Sequence, residues 1–117
     1  MDIESFREYC LAKQGVTEEF PFGPETLVFK VYGKMFALTD IISFESINLK
    51  CDPEKAIELR ERYPAVLPGY HMNKNHWNTV MIDGSIDERS LREWIDDSYD
   101  LVFASLPASL RKSLHRP

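Results

Sequence analysis

The sequence predicts an α+β fold in which helices pack on one antiparallel sheet. Three observations carry that expectation. Stretches at both ends and in the middle repeat apolar residues at helical spacing behind a capping aspartate. Between them lie short β-favouring runs that alternate apolar and polar residues. Those runs are joined by turns of hairpin length, so neighbouring strands must run antiparallel. The expected order is α-βββ-α-ββ-α, in a single domain over residues 1–117 that ends in a basic tail from about 107. At 117 residues the chain fits one hydrophobic core.

Asp2 caps a first helix, in which Ile3, Phe6 and Cys10 share a face and which Gly15 ends. Glu4 in its first turn and Lys13 in its last complement the helix dipole. The next piece, EEFPFGPE, holds two prolines and a glycine and reads as irregular chain leading into the sheet. TLVFKVYGKMFALTDI then reads as a hairpin. Leu27, Phe29 and Val31 alternate with Val28, Lys30 and Tyr32, and Gly33-Lys34 suits a type II′ turn. The return strand sets Phe36 and Leu38 against Met35, Ala37 and Thr39. SINLK adds a third strand, with Ile47 and Leu49 on one face and Asn48 and Lys50 on the other.

Asp52 and Pro53 open the middle helix, and Arg60 and Arg62 lie near its end. Pro64 and the Leu67-Pro68-Gly69 sequence break the chain before a second hairpin whose turn is HMNKNHW. Its return strand, 76–83, places Trp77, Thr79 and Met81 opposite Val80 and Ile82. The last long helix starts near Asp87, and Leu91, Trp94, Ile95, Ser98, Val102 and Phe103 follow the helical period. It ends at Ser105 or Leu106. Pro107 then opens one more short helical turn.

Composition narrows the function classes. Hydrophobic residues at 44% and charged residues at 28% are ordinary globular usage, which disfavours disorder. No apolar run approaches the roughly 20 residues that cross a bilayer, so no membrane partner is expected. MDIESFREYC is not a secretory signal, and a cytoplasmic, bacterial-type protein is the expectation. Cys10 and Cys51 read as reduced, buried thiols rather than a disulfide. A net charge of −5 argues against coating nucleic acid by bulk charge. Local basic patches remain: Lys30, Lys34 and Lys50, and at the end Arg111, Lys112 and Arg116.

GVTEEFPFGPETLVFKVYGKMFAL, INLKCDPEKAIELRERYPAVLPGYHMNKNHWNTV and DDSYDLVFASLP resemble successive blocks of the MmcQ/YjbR family. The resemblance covers nearly the whole chain in order. It implies a fold like that of type III secretion chaperones, with a topological echo of frataxins. It also implies DNA binding, because the family's two hairpins resemble a double wing. It supplies no catalytic residues and no cofactor.

On the DNA reading, hairpin tips need cations and hydrogen-bond donors. The first hairpin offers Lys30 and Lys34, and the second offers Asn73, Lys74, Asn75 and His76. Lys50, Arg111 and Lys112 widen that footprint, while His71 and Trp77 read as shaping the turn or lining a cleft. The alternative is a non-enzymatic module for a protein partner, a homodimer or a small ligand. Its marker is an exposed apolar face at Val28, Tyr32 and Met35.

Enzymatic and metal readings find less support. Glu18-Glu19 and Asp96-Asp97 are adjacent in sequence and diverge, and no phosphate loop or nucleophile elbow is present. His71 and His76, with Asp83 or Asn73, match no metal-ligand motif, and Asp2, Glu4 and Glu8 read as a solvated helix face rather than an iron site. No enzyme, metal or cofactor is expected.

Overall fold

The computed structural model describes residues 1–70 and 72–114, with side chains through residue 112. His71 and Arg116 lie outside the described residues. The order is α1 (Ile3–Leu11), β1 (Val16–Glu19), β2 (Thr26–Val31), β3 (Lys34–Asp40), β4 (Ser46–Lys50), α2 (Pro53–Arg62), β5 (Val66–Pro68), β6 (Trp77–Met81), α3 (Glu88–Ala104) and α4 (Ala108–Leu114). The six strands form one antiparallel sheet in the order β1-β2-β3-β4-β6-β5.

Helices α1, α2 and α3 cover one face of the sheet. Asp2 and Ser5 form a reciprocal capping box that starts α1, and Phe6 then meets Phe29 edge-on at 5.4 Å between centroids. Asp52 caps α2 with Pro53 in its first turn, as the sequence predicts. On its inner side Arg60 donates to Asn78 Oδ1 at 2.9 Å, and Asn78 returns an N–H to the Ala56 carbonyl. Leu91, Trp94, Ile95 and Val102 of α3 complete a core with Leu27, Phe29, Val31, Ile47 and Leu49. Tyr9 and Lys13 both donate to Asp96, tying α1 to α3.

β1 departs from the expected order. Glu18 and Glu19 read as irregular chain, yet they pair with Phe29 and Val28 as an edge strand. The pattern that marks a strand is missing there because charge partners replace apolar ones. Glu18, on the helix side, receives two hydrogen bonds from Arg7 at 2.6 Å, and Glu19, on the other side, receives Lys30 at 3.2 Å. The first helix also ends earlier than expected, at Leu11 with Ala12 as its cap, and Lys13 lies beyond it.

Two local corrections concern the hairpin of β2 and β3. Its turn is Tyr32-Gly33, not Gly33-Lys34, and positive φ at both residues (46° and 87°) makes it type I′. Tyr32 lies with its ring against Gly15, where an added Cβ would come within 1.9 Å. Alternation then breaks at Phe36. The register passes from Phe29↔Ala37 to Lys30↔Met35, which leaves Phe36 as the extra residue of a β-bulge. Phe36 and Ala37 therefore both enter the helix-side core, while Met35 and Leu38 belong to the opposite face. The bulge interrupts the ladder between β3 and β4, and Ser98 of α3 repairs it. Its hydroxyl accepts from the Lys50 N–H and donates to the Phe36 carbonyl.

Candidate functional site

Among the described residues no helix packs into the apolar cluster on the second face of the sheet, yet part of that face is dry. Val28, Leu38 and Trp77 are 0%, 9% and 8% exposed, with Met35 and Met72 packed against them. Their cover is the loop between β5 and β6. The Gly69 N–H donates to the Trp77 carbonyl at 2.9 Å, and the Asn73 carbonyl accepts from the N–H groups of His76 and Trp77. Gly69 is required for this fold-back, because a Cβ there would stand 2.8 Å from that of Trp77. Arg60 of α2 anchors the far side of the loop by donating to the Lys74 carbonyl.

Between this loop and the segment that carries Phe22 lies an open trough of about 600 Å³. Leu38 and Asn48 form its floor, Met72 and Tyr70 stand on one side, and Phe22 stands on the other. The strands give the trough two chemically different ends. Met35 lies toward the Lys50 end of the sheet, and Asp40 and Ser46 lie at the other. The Asp40 Oδ1 accepts from the N–H groups of Ile42 and Ser43, which closes the β3–β4 turn.

One polar relay runs along the floor. The Tyr70 N–H donates to Thr79 Oγ1 at 3.0 Å, and Thr79 Oγ1 donates to Asn48 Oδ1 at 2.5 Å. A hydroxyl has one proton to give, and this one goes to the Asn48 carbonyl oxygen. Among the described residues the Asn48 Nδ2 has no acceptor, and it is not among their buried unpaired polar atoms. It is a hydrogen-bond donor held in a fixed orientation beside the apolar Leu38.

The basic residues singled out in the sequence occupy mostly one end of the sheet. β2, β4 and β5 all run toward that end, so the Tyr32-Gly33 turn, Lys50 and the 69–76 loop meet there. From a strand spacing of about 4.8 Å, the two hairpin centres are roughly 14 Å apart. Lys30 is held by Glu19, and the Lys34 ammonium lies 3.3 Å from the Ser105 carbonyl. No carboxylate pairs with Lys50 or Lys74 among the described residues. Asn73, Lys74, Asn75 and His76 are exposed, and Asn73 Oδ1 accepts from the Asn75 N–H as a local turn lock. Arg111 and Lys112 lie on α4, beyond the Ser105 that Lys34 touches; Arg111 is half-buried and Lys112 is exposed.

The exposed apolar face expected at Val28, Tyr32 and Met35 is not formed: Val28 is fully buried, Met35 is half-buried against it, and the Tyr32 ring packs on Gly15. Reading the sequence alone missed Phe22, Leu38, Tyr70, Met72 and the Asn48–Thr79 pair. The signal for the pair was the alternation itself, which places Asn48 and Thr79 on the non-helical face of adjacent strands. Their contact needs the register Asn48↔Thr79.

Nucleophiles are muted elsewhere. Burial pushes the Cys10 thiol up to about 12 and also raises that of Cys51, so both stay protonated near neutrality. Burial, then the hydrogen bond to Asp96, pushes the Tyr9 phenol up to about 12. Among the described residues no three His, Cys, Asp or Glu side chains gather as a metal site, and no helix is long and apolar enough to cross a membrane.

Comparison with known proteins places this geometry. The YjbR family model matches residues 11–101. The chain is 47% identical to the Escherichia coli O157:H7 protein YbdF over 88 residues, which is 74% of this chain and 72% of the relative. It is 33% identical to the Escherichia coli K12 protein YjbR over 115 residues, covering 97% and 98% of the two chains. The crystal structure of Deinococcus radiodurans DR2400, with family-model domain DUF419, superposes with a TM-score of 0.92 at 41% identity, over 99% of this chain and 89% of that one. A Pseudomonas syringae crystal structure superposes with a TM-score of 0.75 at 31% identity, over 87% and 99%.

Proposed function

The chain belongs to the YjbR family, and from that premise we propose that it is a non-enzymatic binding module whose ligand seat is the trough on the open face of the sheet. One observation carries this reading: a pre-oriented amide donor at Asn48 stands beside the apolar Leu38 in the lining of one trough. Concave sites of about 300–1,000 Å³, largely apolar with a few placed polar groups, are the usual form of small-ligand sites. The muted thiols support binding over catalysis. The test is titration of the folded protein with anilinonaphthalene sulfonate, an apolar fluorescent probe. Fluorescence should rise on binding and fail to rise with Met72→Arg, which fills the trough from a half-buried loop position. Equal enhancement by that variant, or none by the native protein, rejects the reading.

A second reading has its own support. Both hairpin tips share one end of the sheet with Lys50, which suits contact with DNA phosphates through Lys34, Lys50 and Lys74. Three neutralised phosphates give a slope near −3 of log affinity against log salt, from about −0.9 per phosphate. Duplex DNA anisotropy should show that slope and lose binding with Lys34→Glu plus Lys74→Glu. No binding at low salt, where attraction is strongest, rejects this second reading.

A further inference from the structure

We propose that the trough takes a small amphiphilic monocarboxylate, with its acyl or aryl body on the floor and its carboxylate at the Asn48–Lys50 end. This rests on the trough being the ligand seat. Three observations give the ligand its chemistry. First, the relay from the Tyr70 N–H through Thr79 commits Asn48 to presenting N–H groups, so the matching ligand atom is an acceptor. Second, just beyond the trough lining, Lys50 lies two residues further along β4 in the same alternation, about 6.8 Å away by strand rise, and among the described residues no carboxylate pairs with it. Of the other cations toward that end, Lys30 is already balanced by Glu19. An acceptor that also carries negative charge therefore satisfies both groups, and a charge-assisted bond is the stronger kind. Third, Asp40 sits at the far end of the trough. A second negative group on the ligand would meet it, so one carboxylate is favoured over two. Leu38 adds apolar surface, and Met35 and Met72 add unbranched, flexible side chains that adapt to a chain or ring.

The experiment is a nitrogen-15 NMR titration of the full chain with octanoate, octanol and octanedioate at neutral pH. Octanoate should shift the Asn48 side-chain amide and the Trp77 indole, and bind about tenfold or more tighter than octanol, as a hydrogen bond to a charged group predicts. Octanedioate should bind more weakly than octanoate. Lys50→Gln and Thr79→Val should each reduce octanoate affinity, the first by removing charge and the second by freeing the Asn48 amide to turn, and Lys50→Gln should narrow the preference for octanoate over octanol. Leu38→Arg and, should that variant not fold, Met72→Arg should abolish binding of all three probes. Octanol and octanoate binding equally, with both lost in the blocked variant, overturns the carboxylate assignment and leaves the trough as the seat. Binding unaffected by the blocked variants, or no shift of any trough residue by any probe, overturns the trough reading and this inference with it.

Discussion

The two faces of the sheet are built from alternate residues of the same strands and buried by different means. On the covered face, Phe6, Phe29, Phe36, Ile47 and Ile95 are fully buried under helices. On the open face, Val28, Leu38 and Trp77 are dry only because a loop and a few side chains fold over them. A helix layer seals a face along its whole length. A loop seals only what lies beneath it, and the uncovered remainder is the trough. Stability therefore concentrates on one side of the sheet, and the proposed ligand seat lies on the other.

The largest effects should come from the covered face. Phe29→Ala removes a ring that meets Phe6 and is predicted to cost about 3–5 kcal/mol in urea unfolding. Leu38→Ala should fall near the lower end of the about 2–5 kcal/mol range for such truncations, because the trough is already open beside it. Equal costs would break the contrast between the faces. Ser98→Ala removes one hydroxyl from the covered side but strands two backbone groups at the bulge. At about 1–3 kcal/mol for each unsatisfied group, it should cost roughly 2–6 kcal/mol despite the small change in volume.

The open face should respond most to how its loop sits. Gly69→Ala forces a Cβ to within 2.8 Å of the Trp77 Cβ, and overpacking of this kind typically costs about 1–3 kcal/mol. The distinguishing readout is local. Amide hydrogen exchange should speed up at Tyr70, Met72 and Trp77 more than in α3, because the variant lifts the cover and leaves the helix layer in place. Uniform acceleration across the chain would show that the loop belongs to the core rather than to a separate lid of the trough.

The covered face was the legible one. Asp52-Pro53 at the start of α2, the apolar stripe of α3 and the strict alternation of Leu27, Phe29 and Val31 are local patterns, and local patterns survive reading in one dimension. β1 was not legible, since its strand pairing depends on Arg7 and Lys30 neutralising two adjacent glutamates. Nor was the bulge at Phe36, whose broken ladder is repaired by a serine 62 residues away. The open face is harder still. Asn48 and Thr79 each look like ordinary solvent-facing strand residues, and only the register that sets them opposite each other turns them into an oriented donor. The basic residues stood out in the sequence because charge is visible there, whereas the concavity of a sheet face is not.

The smallest expected effects compare the faces at a single strand. Glu18 and Glu19 are neighbours whose side chains part to opposite sides of β1. On the covered side Arg7 grips Glu18 through two hydrogen bonds, and on the open side Lys30 reaches Glu19 through one longer contact. Paired forked contacts are the stronger geometry, so Arg7→Gln should lower the urea midpoint more than Lys30→Gln does. Arg7 also supplies the sign of a pH dependence. Its hydrogen bonds, acting against desolvation, hold the Glu18 carboxyl below its ordinary range. A carboxyl depressed in the folded state stabilises above its unfolded pKa, and that contribution fades as pH falls through the folded value. The difference between the native protein and Arg7→Gln should therefore be full at neutral pH and close on the acid side of the ordinary glutamate range. A gap that persists unchanged into strong acid would mean that Arg7 supports β1 through its apolar stem, and that the covered face holds even its edge strand by packing.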